Sequence, residues 1–147
     1  MFEHLLVPID GSPQSLRAVD GAVAFARERG ARITFFHARS NVPISIYGVG
    51  ELINPDTLQD LINAAKESSD QILGQALEVA KAAGVAATAD GVVDDLPAEA
   101  ILAAAEQHRP DLIFMSSHGR RGLSALLLGS QTQRVITKAS LPVLVYR

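Results

Sequence analysis

The chain has 147 residues, 48% hydrophobic and 20% charged, a composition that excludes disordered and fibrous classes and suits a single domain over 1–147. A formal net charge of −3 is unlike the basic footprint of a nucleic-acid binder, and the absence of cysteine removes disulfides, thiolate zinc sites and thiol nucleophiles. The opening MFEHLLVPIDGS has no basic region, and no stretch reaches the ~18 apolar residues of a membrane helix, so a cytoplasmic protein with no membrane partner is expected.

Leu5 to Ile9 is the first of five short apolar runs that read as strands; it is continuous rather than alternating, as in strands covered on both faces. Ser12 then reads as an N-cap, with Pro13 opening a helix whose apolar stripe is Leu16, Val19, Val23 and Ala26 and whose stop is Gly30. Ile33 to His37 is the second strand. Residues 39–54, with Pro43, Tyr47, Gly48 and Gly50, form an irregular stretch of the length used for lids, and equally for plain surface loops. A long helix follows from Pro55 to Ala83, with a stripe of Leu58, Leu61, Ile62, Ala65, Ile72, Leu73 and Ala76 and a stop at Gly84. Ala86 to Val93 is a weaker strand. Asp94 or Asp95 is expected to cap a third helix carrying Ile101, Ala104 and Ala105, which ends before Pro110. Leu112 to Met115 is the fourth strand. A fourth helix opens at Ser130, where Ser130 and Gln133 match a capping box, and Pro142 to Tyr146 is the last strand. Strands alternating with helices imply an α/β fold, an open parallel sheet with helices on both faces.

In such sheets ligands bind beyond the carboxyl ends of the strands, at the switch in strand order. Two stretches sit there: Pro8-Ile9-Asp10-Gly11-Ser12, and Ser116-Ser117-His118-Gly119-Arg120-Arg121-Gly122 leading to Gly129-Ser130. Glycines let backbone N–H groups approach an anion, and a helix N-terminus adds free donors and partial positive charge. Gly119 and Gly129 thus suit a polyphosphate, or simply tight turns. Arg120 and Arg121 read as added charge or as solvated side chains. Asp10 reads as a ribose acceptor, a helix cap or a metal ligand. His118 reads as a phosphate contact or as merely exposed, and His37 as packed or bonded locally rather than catalytic. Gly48-Val49-Gly50 begins a dinucleotide fingerprint, but Ile53 stands where its third glycine belongs.

LLVPIDGSPQSLRAVDGAVAFA resembles the first strand and helix of the universal stress protein family, and DLIFMSSHGRRGLSALLLGSQTQRVITKASLPVLVY resembles its C-terminal half. ATP-binding members carry Gly, two residues, Gly, nine residues, then Gly with Ser or Thr. Gly119, residues 120–128 and Gly129-Ser130 fit this pattern, while Ser116 stands at the first glycine. The resemblance implies a five-stranded sheet of order 3-2-1-4-5, of the adenine nucleotide alpha hydrolase-like type. It also implies ATP, with Mg²⁺, as cofactor. Pro8, Ile9 and Asp10 would lie beside adenine and ribose, and Ala38 along the adenine pocket. Met115, Ser116 and Gly119 would border ribose and phosphates, and Gly129, Ser130, Gln131 and Thr132 would hold phosphate oxygens. A homodimer through the last strand is implied as well. The function expected is a stress-response module that switches partners with nucleotide, or a nucleotide-free member acting through protein contacts. Hydrolysis is at most slow, since no Walker loop and no placed general base are seen. An adenylating enzyme would need SGGxDS after the first strand, which Asp10 to Ser15 only faintly resembles. A phospho-acceptor receiver would need an acid where the fourth strand ends in serines.

Overall fold

The computed structural model describes residues 1–41, 54–119 and 127–147. Its elements are β1 (His4–Pro8), α1 (Pro13–Arg29), β2 (Arg32–Arg39), α2 (Pro55–Ala82), β3 (Ala87–Val93), α3 (Pro97–His108), β4 (Leu112–Ser116), α4 (Ser130–Lys138) and β5 (Val143–Tyr146). The strands form one parallel sheet in the order β3-β2-β1-β4-β5. Both βα architecture and strand order agree with the sequence expectation. β1 and β4 are buried along their whole length. Burying Leu5, Leu6 and Val7 contributes on the order of 1.5–3 kcal/mol each, which explains why these runs are continuously apolar.

Alternation along the strands divides the core in two. Leu5, Val7, Ile33, Phe35, Leu112 and Phe114 face α1 and α2. Leu6, Phe36, Ile113 and Met115 face α3 and α4. Among these apolar layers one polar rung crosses the α3 face of the sheet. His4 Nε2 lies 2.8 Å from Thr34 Oγ1 and 3.2 Å from Arg32 Nη1, and Thr34 Oγ1 lies 3.2 Å from Thr88 Oγ1. A guanidinium only donates, so Nε2 is an acceptor and the imidazole is neutral. Burial pushes its pKa down, the neighbouring Arg32 charge adds to this, and Asp111 opposes it.

Helix α1 starts as its sequence predicts: Ser12 accepts from Ser15 N–H at 3.2 Å, and Gly30 closes the helix at φ 67. Its buried face, however, is Ser15, Ala18, Val19, Ala22, Val23 and Ala26, and Leu16 is 40% exposed. Small residues win that face because the helix lies close to the sheet. Helix α2 is about 42 Å long at 1.5 Å per residue, and its buried residues are Ser69, Leu73, Ala76 and Ala80. Leu61 and Ile62, expected in the stripe, are exposed, since the buried residues of the helix begin only at Ser69.

Two caps are corrected. Neither Asp94 nor Asp95 caps α3. Asp94 accepts from Leu96 N–H at 2.8 Å, Asp95 accepts from Asn41 N–H at 2.8 Å, and Leu96 is the N-cap residue. The donor at Ala98 N–H is satisfied by Gln131 Oε1 of α4 at 3.1 Å. In α4 the N-cap residue is Gly129, with Ser130 already helical, so the Ser130–Gln133 capping box does not form. Lys138 and Glu99 add an ion pair between α4 and α3.

Candidate nucleotide-binding site

The chain reverses strand order between β1 and β4, which pair directly, so their carboxyl ends meet at the crevice where open α/β sheets bind ligands. On the β1 side, Ile9 N–H continues the ladder by donating to Phe36 O at 2.8 Å. Gly11, at φ 77, then turns the chain into α1. Asp10 is fixed inside this turn: its Oδ1 accepts from Ser12 N–H at 2.9 Å, and its own N–H donates to Ser15 Oγ at 3.3 Å. Pro8 and Ile9 are buried, and the Ile9 side chain belongs to the α1/α2 core layer, so Ile9 has only its backbone carbonyl to present at the crevice. Ala38 and Met115 lie on the opposite layer, toward α3 and α4.

On the β4 side the turn after Met115 is held from every direction. Ser116 Oγ donates to His118 O at 2.7 Å, and Ser117 Oγ lies 3.0 Å from His118 Nδ1. Ser117 N–H donates to Tyr146 O at 3.0 Å, and Thr132 Oγ1 donates to Ser116 O at 3.1 Å. Gly129 N–H donates to Ser117 O at 2.8 Å. Both glycines are needed for closeness. A Cβ on Gly119 would stand 2.5 Å from Asp10 Oδ2, and a Cβ on Gly129 would stand 3.2 Å from Ser117 O and 3.3 Å from His118 Cα. The β1 carboxylate, the β4 turn and the α4 start are therefore stacked directly on one another.

The first backbone bond of α4 runs from Gln133 N–H to Gly129 O at 3.0 Å, so the N–H groups of Ser130, Gln131 and Thr132 have no helical acceptor. They form the positive end of a helix that starts against the Ser117–His118 turn, an arrangement of the kind that binds phosphate. The side chains of these residues divide their labour. Ser130 is exposed, Thr132 is 3% exposed with its hydroxyl tied to Ser116, and Gln131 caps α3. Thr132 and Gln131 thus offer a ligand their backbone donors. His37, as expected, is bonded locally: its Nδ1 lies 2.7 Å from Ser69 Oγ. No cluster of three or more His, Cys, Asp or Glu suited to a metal occurs among the described residues. Arg120, Arg121, Gly122 and residues 42–53 of the candidate lid, Gly48-Val49-Gly50 among them, lie outside the described residues.

The sequence model of the universal stress protein family matches residues 1–147. The chain belongs to the universal stress protein family. Its relatives include the universal stress protein in the QAH/OAS sulfhydrylase 3′ region of Thermus aquaticus, 32% identical over 147 residues and all of both chains. Universal stress protein YxiE of Bacillus subtilis is 34% identical over 149 residues, again covering all of both. Among solved structures, MJ0577 of Methanocaldococcus jannaschii superimposes with a TM-score of 0.80 at 29% identity, over 99% of this chain and 95% of that one. A universal stress protein in complex with cAMP superimposes with a TM-score of 0.71 at 26% identity, over 99% and 97% of the two chains.

Sequence reasoning on this universal stress protein missed two features. Gln131 as the α3 cap has no local signal, because donor and acceptor are 33 positions apart. Ser116, which breaks the family's glycine pattern, is 8% exposed and spends its hydroxyl on His118 O, so the turn is built around it.

Proposed function

We propose that this universal stress protein binds an adenine nucleotide, ATP with Mg²⁺, in the crevice between β1 and β4, and acts in the cytoplasm as a nucleotide-dependent stress-response switch. The observation that carries this reading is the contact of Gly119 with Asp10 and of Gly129 with the 117–118 backbone, a cradle that any Cβ would fill. Phosphates fit the free N–H groups of Ser130, Gln131 and Thr132 and the exposed Ser130 hydroxyl. Ribose fits the Asp10 carboxylate, and adenine the surface at half-buried Ala38, beside the backbone of Pro8 and Ile9 and the buried Met115. Mg²⁺ would sit on the phosphate oxygens and offset their charge, with Asp10 as the nearest carboxylate candidate. The cAMP complex of a relative supports an adenine nucleotide as the ligand class. The proposed assembly is a two-fold dimer with antiparallel pairing of β5, whose outward backbone groups are those of Val143 and Val145. A monomer at micromolar concentration by analytical ultracentrifugation would remove it.

A second reading, a nucleotide-free member acting through protein contacts, is favoured by Ser116 in place of the first motif glycine. Thermal melting with and without Mg-ATP separates the two. At a hundredfold excess over Kd, binding adds ~2.7 kcal/mol, a rise in Tm on the order of 5–10 °C for a domain of this size. No shift, together with no nucleotide carried through purification, would leave the second reading.

A further inference from the structure

The two edges of the sheet differ. Among the described residues β3 pairs with β2 alone. Ile33 N–H donates to Ala86 O and Asp94 N–H donates to Arg39 O, both at 2.9 Å, which fixes the phase of the ladder. Even-numbered residues of β3 point their backbone groups at β2. Ala87, Ala89, Gly91 and Val93 point theirs outward. This edge is open: most of the strand is exposed, and a groove of about 410 Å³ lies beside it, lined in part by Lys66, Asp70, Gly74, Ala89 and Gly91. A seven-residue open edge is a template for a second strand.

One outward donor is already taken. Gly91 N–H donates to Asp90 Oδ1 at 2.8 Å, and Asp90 Oδ2 is held 2.7 Å from His108 Nε2, on the last residue of α3. The position matters. Antiparallel pairing of two copies about the midpoint of β3 would bring Gly91 N–H onto the second copy's Ala89 carbonyl. The Asp90 carboxylate stands in that space, and His108 keeps it from swinging away.

We propose that Asp90 guards the β3 edge, closing it to a second copy of this chain so that sheet extension between copies is confined to β5. A sheet open at both edges, each pairing about its own two-fold axis, would grow without limit, whereas one open edge closes as a dimer. The inference rests on the proposed pairing of β5 and not on nucleotide binding; amide exchange reads the Asp90 cap whether or not β5 pairs.

Amide exchange in the unaltered protein tests the cap directly. After correction for intrinsic rates, Gly91 N–H is expected to exchange at least about tenfold more slowly than the outward N–H of Ala89. Equal protection would overturn the proposal, and this arm requires no variant to fold. Asp90→Ala is expected to form concentration-dependent larger species by sedimentation velocity, while Asp90→Asn, whose amide oxygen can still accept from Gly91, behaves as the parent. A folded Asp90→Ala that sediments like the parent would overturn the proposal. So would an Asp90→Asn that assembles like Asp90→Ala, which would assign the guard to charge rather than to the bond.

Discussion

Replacing Gly119 by alanine isolates the contact on which the site is built. The new Cβ would lie 2.5 Å from Asp10 Oδ2, so the carboxylate must retreat by at least about half an ångström. Its other oxygen holds Ser12 N–H at 2.9 Å, and that bond lengthens toward about 3.4 Å and weakens, at a cost of up to about 1 kcal/mol net. With residual crowding the total loss is about 1–2 kcal/mol, or a fall in Tm of about 2–8 °C. Gly119 has no left-handed φ, so backbone strain adds nothing. The same substitution made on an Asp10→Ala background meets no carboxylate and should cost close to nothing. Urea unfolding of the four proteins closes a double-mutant cycle with an expected coupling of about 1–2 kcal/mol. If Gly119→Ala costs the same with and without Asp10, the carboxylate is not what the glycine accommodates, and the stacked geometry of the site is wrong.

Two further outcomes are expected. His4 has a folded pKa lowered by burial and by Arg32, so its contribution to stability is fully present above its unfolded value near 6.5 and is lost as pH falls below that through the folded value. Tm should therefore drop between pH 7 and pH 5, and His4→Gln should flatten that part of the profile; an unchanged slope would assign it to other groups. Gly21→Ala should do the opposite of a usual glycine-to-alanine change in a helix, which stabilises by about 0.5–1 kcal/mol. Its Cβ would stand 2.6 Å from the Tyr146 ring, which packs on Phe114 at 5.6 Å between centroids. Displacing Tyr146 disturbs the β5 edge, and if β5 pairs as proposed, the Kd of that dimer measured by sedimentation equilibrium should rise about tenfold, or ~1.4 kcal/mol. An unchanged Kd would detach Tyr146 from assembly.

What the sequence disclosed divides along the range of the interactions involved. The α1 start was legible because Ser12, Pro13 and Ser15 are neighbours, and Gly30 ends the helix through its own φ. Leu16, Leu61 and Ile62 were misplaced because periodicity identifies a face without showing whether anything lies against it. The α3 cap was misassigned to Asp94 or Asp95 because the acceptor, Gln131, comes from another helix. At the site, Asp10, Gly119 and Gly129 could be chosen by residue type and by the switch-point rule. The contact between Gly119 and Asp10 could not, because it depends on how far two turns from different strands lean toward each other.

The long α2 helix has a consequence for how this chain can diverge. Its buried positions begin at Ser69, so roughly the first half of the helix contributes few side chains to the core. Most substitutions there should leave the fold intact, while those at Leu73, Ala76 and Ala80 should be penalised at once. One continuous helix thus joins a segment under strict packing constraint to one nearly free of it. New surface chemistry can accumulate on the free segment without first waiting for a compensating change in the core.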